Sequence, residues 1–374
     1  MAGLSQDVDP EGLLEYSVVF SDRALNHMSK RFQSVMRDIS RTLKSVYAAH
    51  STIVVPGSGT FGMEAVARQF ATGKRCLVIR NGWFSYRWTQ IFDVGGIPAE
   101  SRVLKARPVE SGERPFLAPP VLKDVVAAIH EYRPDVVFAA HVETASGILL
   151  SEDYIRQVAD AVHAVGGLLV LDCIASGAIW VDMRNLHVDV LLSAPQKGWS
   201  ASACCGLVML GEDARKRIES TQSTSFACNL REWLRVMEAY EQGGHAYYTT
   251  MPTDSLRTLR DVMAETESRG FDRARREQQQ LGDAVRALLR ERGFKSVAAP
   301  GFEAPSVVVS YTTDDDIRSG RKFADAGLQV AAGVPLACDE PEGFKTFRLG
   351  LFGLDKLNDV DRTVEALTQA LDKM

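Results

Sequence analysis

The sequence predicts an α/β protein, with a large domain on a mostly parallel sheet and a smaller C-terminal α+β domain. Three observations carry this. Apolar runs at 76–79, 136–140, 168–171, 188–192 and 207–210 are too continuous for half-exposed antiparallel strands and read as strands buried on both faces. Between them, residues 62–70, 121–132 and 153–165 carry helical patterns, the alternation that places crossovers on both faces of an open sheet. After Pro252 the pattern changes to a long charged helical stretch followed by short strands.

Taken in order, residues 1–25 form an N-terminal segment, 26–255 the large domain and 256–374 the small domain. Met28, Phe32, Val35, Met36, Ile39, Leu43 and Val46 mark one face of a helix over 25–47. The C-terminal part predicts helix over 256–292 with a break near Gly270, a strand at 306–311, a helix, a short strand around Val330, a strand at 347–351 and a closing helix at 360–371. With 374 residues, 45% of them hydrophobic, the chain can bury a large core in two domains.

Composition excludes several function classes. Lys and Arg total 43 against 48 Asp and Glu, and no stretch interleaves basic residues with aromatics, which argues against nucleic acid or an anionic membrane as partner. The N-terminus lacks a basic flank with an apolar run, and no segment approaches the roughly 18 apolar residues of a membrane span, so a cytoplasmic protein is expected. Six cysteines without CxxC spacing and seven histidines without HExxH predict neither a disulfide framework nor a metal site.

In open parallel sheets the ligand crevice lies beyond the carboxyl ends of the strands. There the sequence places Asp172 after 168–171, Gln196 and Lys197 after 190–193, Thr144 after 136–140 and Phe84 after 77–80, while Pro56-Gly-Ser-Gly-Thr60 opens a helix with small residues. Singly these read as a turn acid, a surface lysine, a core ring and a tight turn. Together, an acid, an amine, an aromatic plate and a helix N-terminus suit pyridoxal phosphate. The helix start would hold the phosphate and Phe84 would stack on the ring. Asp172 would keep the pyridine nitrogen protonated, and Lys197 would form the Schiff base and carry the proton. The 25 residues from Asp172 to Lys197 fit one strand–helix repeat, placing both at neighbouring strand ends.

The arrangement resembles the fold type I pyridoxal phosphate enzymes, and among them the class V aminotransferases related to alanine-glyoxylate and serine-glyoxylate aminotransferases. The matching stretches are Gly57-Ser-Gly-Thr-Phe-Gly-Met-Glu-Ala65, Asn81-Gly-Trp-Phe-Ser-Tyr-Arg87, His141-Val-Glu-Thr-Ala-Ser-Gly147, Leu171-Asp-Cys-Ile-Ala-Ser176, Ser193-Ala-Pro-Gln-Lys197 and Phe347-Arg-Leu-Gly350, in the family's order. The resemblance implies a seven-stranded type of sheet, Lys197 as Schiff-base lysine and Asp172 as partner of the ring nitrogen. It makes Ser58, Gly59 and Thr60 phosphate ligands, and puts Phe84 where the family commonly has Trp, with Ile174 on the opposite ring face. Thr144 and Gln196 would bind the ring oxygen side or the phosphate. Tyr247-Tyr-Thr-Thr-Met-Pro252 resembles the stretch that reaches the neighbouring subunit's site, with Tyr247 and Thr250 on the phosphate, implying a homodimer with shared active sites. Arg348 matches the arginine that grips the substrate α-carboxylate. Its place in an otherwise apolar stretch agrees, since an unpaired charge there would be costly. Two departures stand out. Tyr16-Ser-Val-Val-Phe-Ser-Asp-Arg23 replaces the family's Gly-Pro-rich opening turn, and Ser200-Ala-Ser-Ala-Cys-Cys-Gly206 replaces a proline-containing turn.

The reaction implied is transamination from a small amino acid, alanine or serine in type, to a 2-oxo acid such as glyoxylate or pyruvate. The alternative is a lyase of the same fold, a cysteine desulfurase or kynureninase-like enzyme with Cys338 as a conceivable sulfur acceptor. Against it stands Gln196, where desulfurases place His before the lysine. A non-catalytic sensor would have lost Lys197 and gained an attached module, and neither mark is present.

Overall fold

A computed structural model describes residues 8–9 and 13–374, so residues 1–7 and 10–12 of the expected N-terminal segment lie outside the described residues. Three helices and three strands alternate at the start of the described chain: α1 (Lys30–Tyr47), β1 (Ser51–Pro56), α2 (Gly59–Phe70), β2 (Arg75–Arg80), α3 (Trp83–Gly95) and β3 (Glu100–Lys105). A small hairpin of β4 (Arg107–Pro108) and β5 (Leu117–Ala118) precedes α4 (Leu122–Tyr132), β6 (Val136–Ala140), α5 (Glu152–Ala164), β7 (Leu168–Asp172), β8 (Val190–Ser193) and β9 (Cys205–Leu210). Helices α6 (Glu212–Arg217), α7 (Leu230–Glu241), α8 (Thr253–Arg269) and α9 (Phe271–Glu291) follow. The C-terminal part holds β10 (Val307–Tyr311), α10 (Asp315–Ser319), α11 (Arg321–Asp325), β11 (Ala331–Ala332), β12 (Thr346–Gly350), α12 (Leu354–Asn358) and α13 (Val360–Leu371).

The seven-stranded sheet runs in the order β1-β9-β8-β7-β6-β2-β3. Strands β8, β7, β6, β2 and β3 pair in parallel, and every residue of β6, β7 and β8 is buried, which is why these segments read as unbroken apolar runs. The 207–210 run departs from the expectation: β9 is antiparallel to both β1 and β8. Unbroken apolarity reports burial on both faces, and β9 has that burial whichever way it runs. A second correction concerns 173–189, between β7 and β8, which is turns and irregular chain where a crossover helix was expected. Asp172 and the strand before Lys197 are neighbours nonetheless, because β7 and β8 pair directly.

Helix α2 lies close against the sheet. A Cβ on Gly206 of β9 would sit 2.8 Å from the Gly62 Cα of α2, so glycine at both positions sets how near this helix approaches. The three-stranded antiparallel sheet β10-β12-β11 forms the C-terminal unit and carries Arg348 in its central strand, opposite Val309 and Ala331. The break near Gly270 falls where expected, between α8 and α9, and α8 runs through the expected boundary at 255/256. Among the described residues, no helix is long and apolar enough to cross a membrane, and no group of three or more His, Cys, Asp and Glu could hold a metal ion.

Candidate active site

The carboxyl ends of β1, β6, β7 and β8 converge with the start of α2. Ser58 is the N-cap of α2, yet its side chain makes no capping hydrogen bond, and the first turn holds no acid. The free N–H groups and the Ser58 hydroxyl are therefore available to an anion, with the positive end of the helix dipole behind them. Gly57 adopts φ +124°, and its N–H donates to the Cys204 carbonyl at 2.9 Å, which ties this turn to the start of β9. A Cβ on Gly59 would lie 2.7 Å from Ile174 Cδ1 and 3.2 Å from Ala194 Cβ. Only glycine lets the helix start come this near the chain leaving β7 and β8.

Asp172 ends β7 and is buried. Burial raises its carboxyl pKa to about 6; the Ile174 N–H, donating at 2.9 Å, opposes this, Glu143 adds to it, and Arg87 and Lys197 oppose it. Lys197 sits in the 195–199 turn just past β8. Burial lowers its amine pKa, the Arg348 and Arg87 charges push the same way, and Asp172 opposes them. Its Nζ lies 4.9 Å from the centroid of the Phe352 ring. The turn itself is held on three sides. Trp199, fully buried, packs 4.7 Å from Trp180 and 6.2 Å from Phe271 between ring centroids. The Ser200 hydroxyl accepts the Leu354 N–H at 2.8 Å. A Cβ on Gly198 would sit 2.2 Å from the Gly177 carbonyl oxygen, so no larger residue fits there.

Phe84 occupies the first turn of α3, and two guanidinium groups lie over its ring, Arg87 at 5.1 Å and Arg348 at 5.4 Å from the centroid. What fixes this turn is Glu143, which sequence reasoning passed over inside the His141–Gly147 motif. Its fully buried carboxylate accepts the Phe84 N–H at 3.1 Å, the Ser85 N–H at 2.9 Å, the Ser85 hydroxyl at 2.6 Å and the Ala145 N–H at 2.9 Å. An acid placed three residues after the β6 run was the available signal, since an acid at a helix N-terminus satisfies amides that the helix leaves open. Arg87 was also passed over; its Nη1 donates to Thr60 Oγ1 at 3.1 Å, linking the third helix to the start of the second.

The structure thus brings Ser58, Gly59, Thr60, Phe84, Thr144, Asp172, Ile174, Gln196 and Lys197 to one end of the sheet, with Gln196 exposed and Thr144 half-buried. Arg348 comes to the same place from β12; its Nε donates to the Ala332 carbonyl at 2.8 Å, which leaves the terminal nitrogens of the fork for a ligand. Tyr247 and Thr250 stand apart. They hydrogen-bond to each other at 3.2 Å on an exposed stretch beside His27, whose ring lies 5.4 Å from that of Tyr247. Cys338 is not a nucleophile in waiting. It packs against the smaller hydrophobic cluster that holds Leu336 and Val309, its thiol lies 3.4 Å from the Arg80 carbonyl oxygen, and burial pushes its pKa up to about 12, against the thiolate that a sulfur-accepting lyase needs.

The class-V aminotransferase profile ("Aminotransferase class-V") matches residues 13–341. The chain belongs to this family. The class-V aminotransferase is similar to alanine–glyoxylate aminotransferase of Rattus norvegicus, at 25% identity over 93% of this chain and 82% of the relative. It also resembles 2-aminoethylphosphonate–pyruvate transaminase 2 of Paraburkholderia xenovorans (strain LB400), at 27% identity over 94% of this chain and 90% of that one. Its fold matches the crystal structure of an alanine–glyoxylate aminotransferase from Nostoc sp., with a TM-score of 0.77 at 20% identity, covering 92% of this chain and 88% of the other. The protein is a pyridoxal phosphate-dependent transaminase of fold type I.

The residues present fit that cofactor. The uncapped start of α2 suits a phosphate, Gly59 lets that start lie against the chain leaving β7 and β8, and a buried acid and a half-buried amine stand at or just past the ends of adjacent strands.

Proposed function

We propose that this enzyme moves an amino group from a small amino acid of the alanine or serine type to a 2-oxo acid of the glyoxylate or pyruvate type. The observation that carries this reading is that Lys197, Asp172 and Arg348 lie within electrostatic reach of one another at the end of the parallel strands, with Arg348 over the Phe84 ring. The names of the relatives support the substrate class, because alanine, glyoxylate and pyruvate occur among them.

In this reading Ser58, Gly59 and Thr60 hold the phosphate, Phe84 and Ile174 hold the two ring faces, and Thr144 and Gln196 hydrogen-bond the ring oxygen side or the phosphate. The bound cofactor supplies an electron sink for the substrate's Cα–H bond. Asp172 holds a proton on the ring nitrogen by its own negative charge. Lys197, whose burial and cationic neighbours favour the neutral amine, takes the Cα proton at Nζ and returns it on the cofactor side. The Arg348 fork receives the two carboxylate oxygens of amino acid and oxo acid alike, so one grip serves both halves of the ping-pong cycle. Steady-state kinetics test this role. Arg348→Gln is expected to raise KM for donor and acceptor together and to lower kcat/KM by about 10²–10³-fold, while cofactor affinity stays within twofold. An unchanged KM for both would remove Arg348 from the substrate site.

The reading also includes a homodimer. Tyr247 is 53% exposed beside the buried His27, and Phe226, 73% exposed, packs on Tyr248, aromatic groups suited to meet a second copy. Tyr247 and Thr250 would then complete the partner's phosphate site. Sedimentation of the holoenzyme is expected to give twice the 41.1 kDa chain mass, and a monomer that is fully active would contradict shared sites.

A further inference from the structure

We propose that Arg87 is a positioning residue for the cofactor's phosphate, supplying a full positive charge that the start of α2 alone does not provide. The inference rests on the cofactor reading above. A helix N-terminus offers roughly half an elementary charge, whereas a phosphate monoester carries about −1.5 to −2 near neutrality. Ser58 and Thr60 add hydroxyls without charge, so the site as first read from the sequence leaves most of the phosphate's charge unanswered.

Arg87 is placed to answer it. It stands one helical turn after Phe84 in α3, so the ring and the guanidinium share a face. Its Nη1 reaches Thr60 Oγ1 at 3.1 Å, the second residue of α2, where the free amides point. Among the described residues it has no carboxylate within ion-pair distance. Arg80, by contrast, is engaged on both terminal nitrogens, donating to the Thr89 hydroxyl at 2.8 Å and the Ala337 carbonyl at 3.2 Å, and the Arg348 fork is turned to the substrate side. The Arg87 guanidinium has one neutral acceptor and the Phe84 ring beside it, which leaves donors free for an anion. Its charge is also felt at both Asp172 and Lys197, which places it inside the same electrostatic unit. The planar fork can span two phosphate oxygens, a geometry that a lysine amine does not offer.

A merely structural alternative is that Arg87 braces the Phe84 ring from above. The two roles separate when the phosphate is taken off the probe. Apoprotein is titrated with pyridoxal phosphate and, separately, with pyridoxal, following quenching of tryptophan fluorescence and the visible band of the lysine-bound ring, for wild type, Arg87→Gln and Arg87→Lys. Arg87→Gln is expected to weaken pyridoxal phosphate about 10-fold to 100-fold, as loss of a charged hydrogen-bond partner does, and to change pyridoxal less than twofold. Arg87→Lys should recover part of the phosphate-dependent affinity. Equal weakening of both probes, or no weakening of either, would overturn the proposal. Failure of the wild-type protein to bind pyridoxal phosphate would instead remove the cofactor reading on which it stands.

Discussion

Lys197→Ala is expected to lower turnover by about 10⁴-fold or more while the cofactor still binds through its phosphate and ring nitrogen. The magnitude follows from the two tasks that one amine performs, covalent attachment and proton transfer, the second alone contributing roughly 10²–10⁴-fold in enzymes. Nothing nearby can replace it. Gln196 has no titratable group, and burial pushes the Cys338 thiol pKa up to about 12. Burial and the cationic guanidiniums favour the neutral form of the Lys197 amine, which is the form that accepts a proton. Lys197→Arg should therefore be as inactive as the alanine variant, since a guanidinium keeps its proton. Single-turnover measurements with alanine would check both, and wild-type turnover in either variant would contradict the mechanism.

Asp172→Asn is expected to cost about 10²–10³-fold in turnover, because an amide cannot hold a positive ring nitrogen, and to alter the stability of the cofactor-free protein in the opposite sense. The sign follows from the direction of the shift. The folded protein raises this carboxyl from 3.8 to about 6, so it favours the protonated form relative to the unfolded chain. The benefit is intact below about pH 4 and disappears as pH rises through 6, a loss of up to about 3 kcal/mol from this one group. Denaturant unfolding of the apoprotein between pH 4 and 7 should show wild type losing stability that Asp172→Asn retains. A parallel pH dependence in both proteins would contradict the burial argument. The strain has a functional reading: a buried acid without a cation is held ready for one, and the ring nitrogen supplies it.

Much of the fold was legible because its strands are buried on both faces. The runs at 136–140 and 168–171 became β6 and β7 with little change, and the glycine at 270 parted α8 from α9 as expected. Direction was not legible, as β9 shows, since a run of apolar residues carries no sign of which way its neighbours point. β1 escaped as well: Ser51–Pro56 begins with two polar residues and ends in proline, and only pairing with β9 makes it a strand. In the site, residues that would touch the cofactor could be picked from strand ends. Glu143 stands near a strand end too, but its role, like that of Arg87, lies in partners 58 or 27 residues away, the Ser85 amide and the Thr60 hydroxyl. Such long-range polar contacts leave no periodic trace in a single sequence. Tyr247 and Thr250 show a further limit, since the structure of one chain joins them to each other and leaves their expected role to a second copy.

The central claim is that Lys197 holds pyridoxal phosphate in a site built to exchange amino groups. Its most direct test is the visible absorption of the purified holoenzyme during sequential addition of substrates. The account predicts a band that bleaches with L-alanine or L-serine and returns with glyoxylate or pyruvate, and that is missing in Lys197→Ala. A band that no small amino acid bleaches, or one that bleaches and is not restored by any 2-oxo acid, would contradict it.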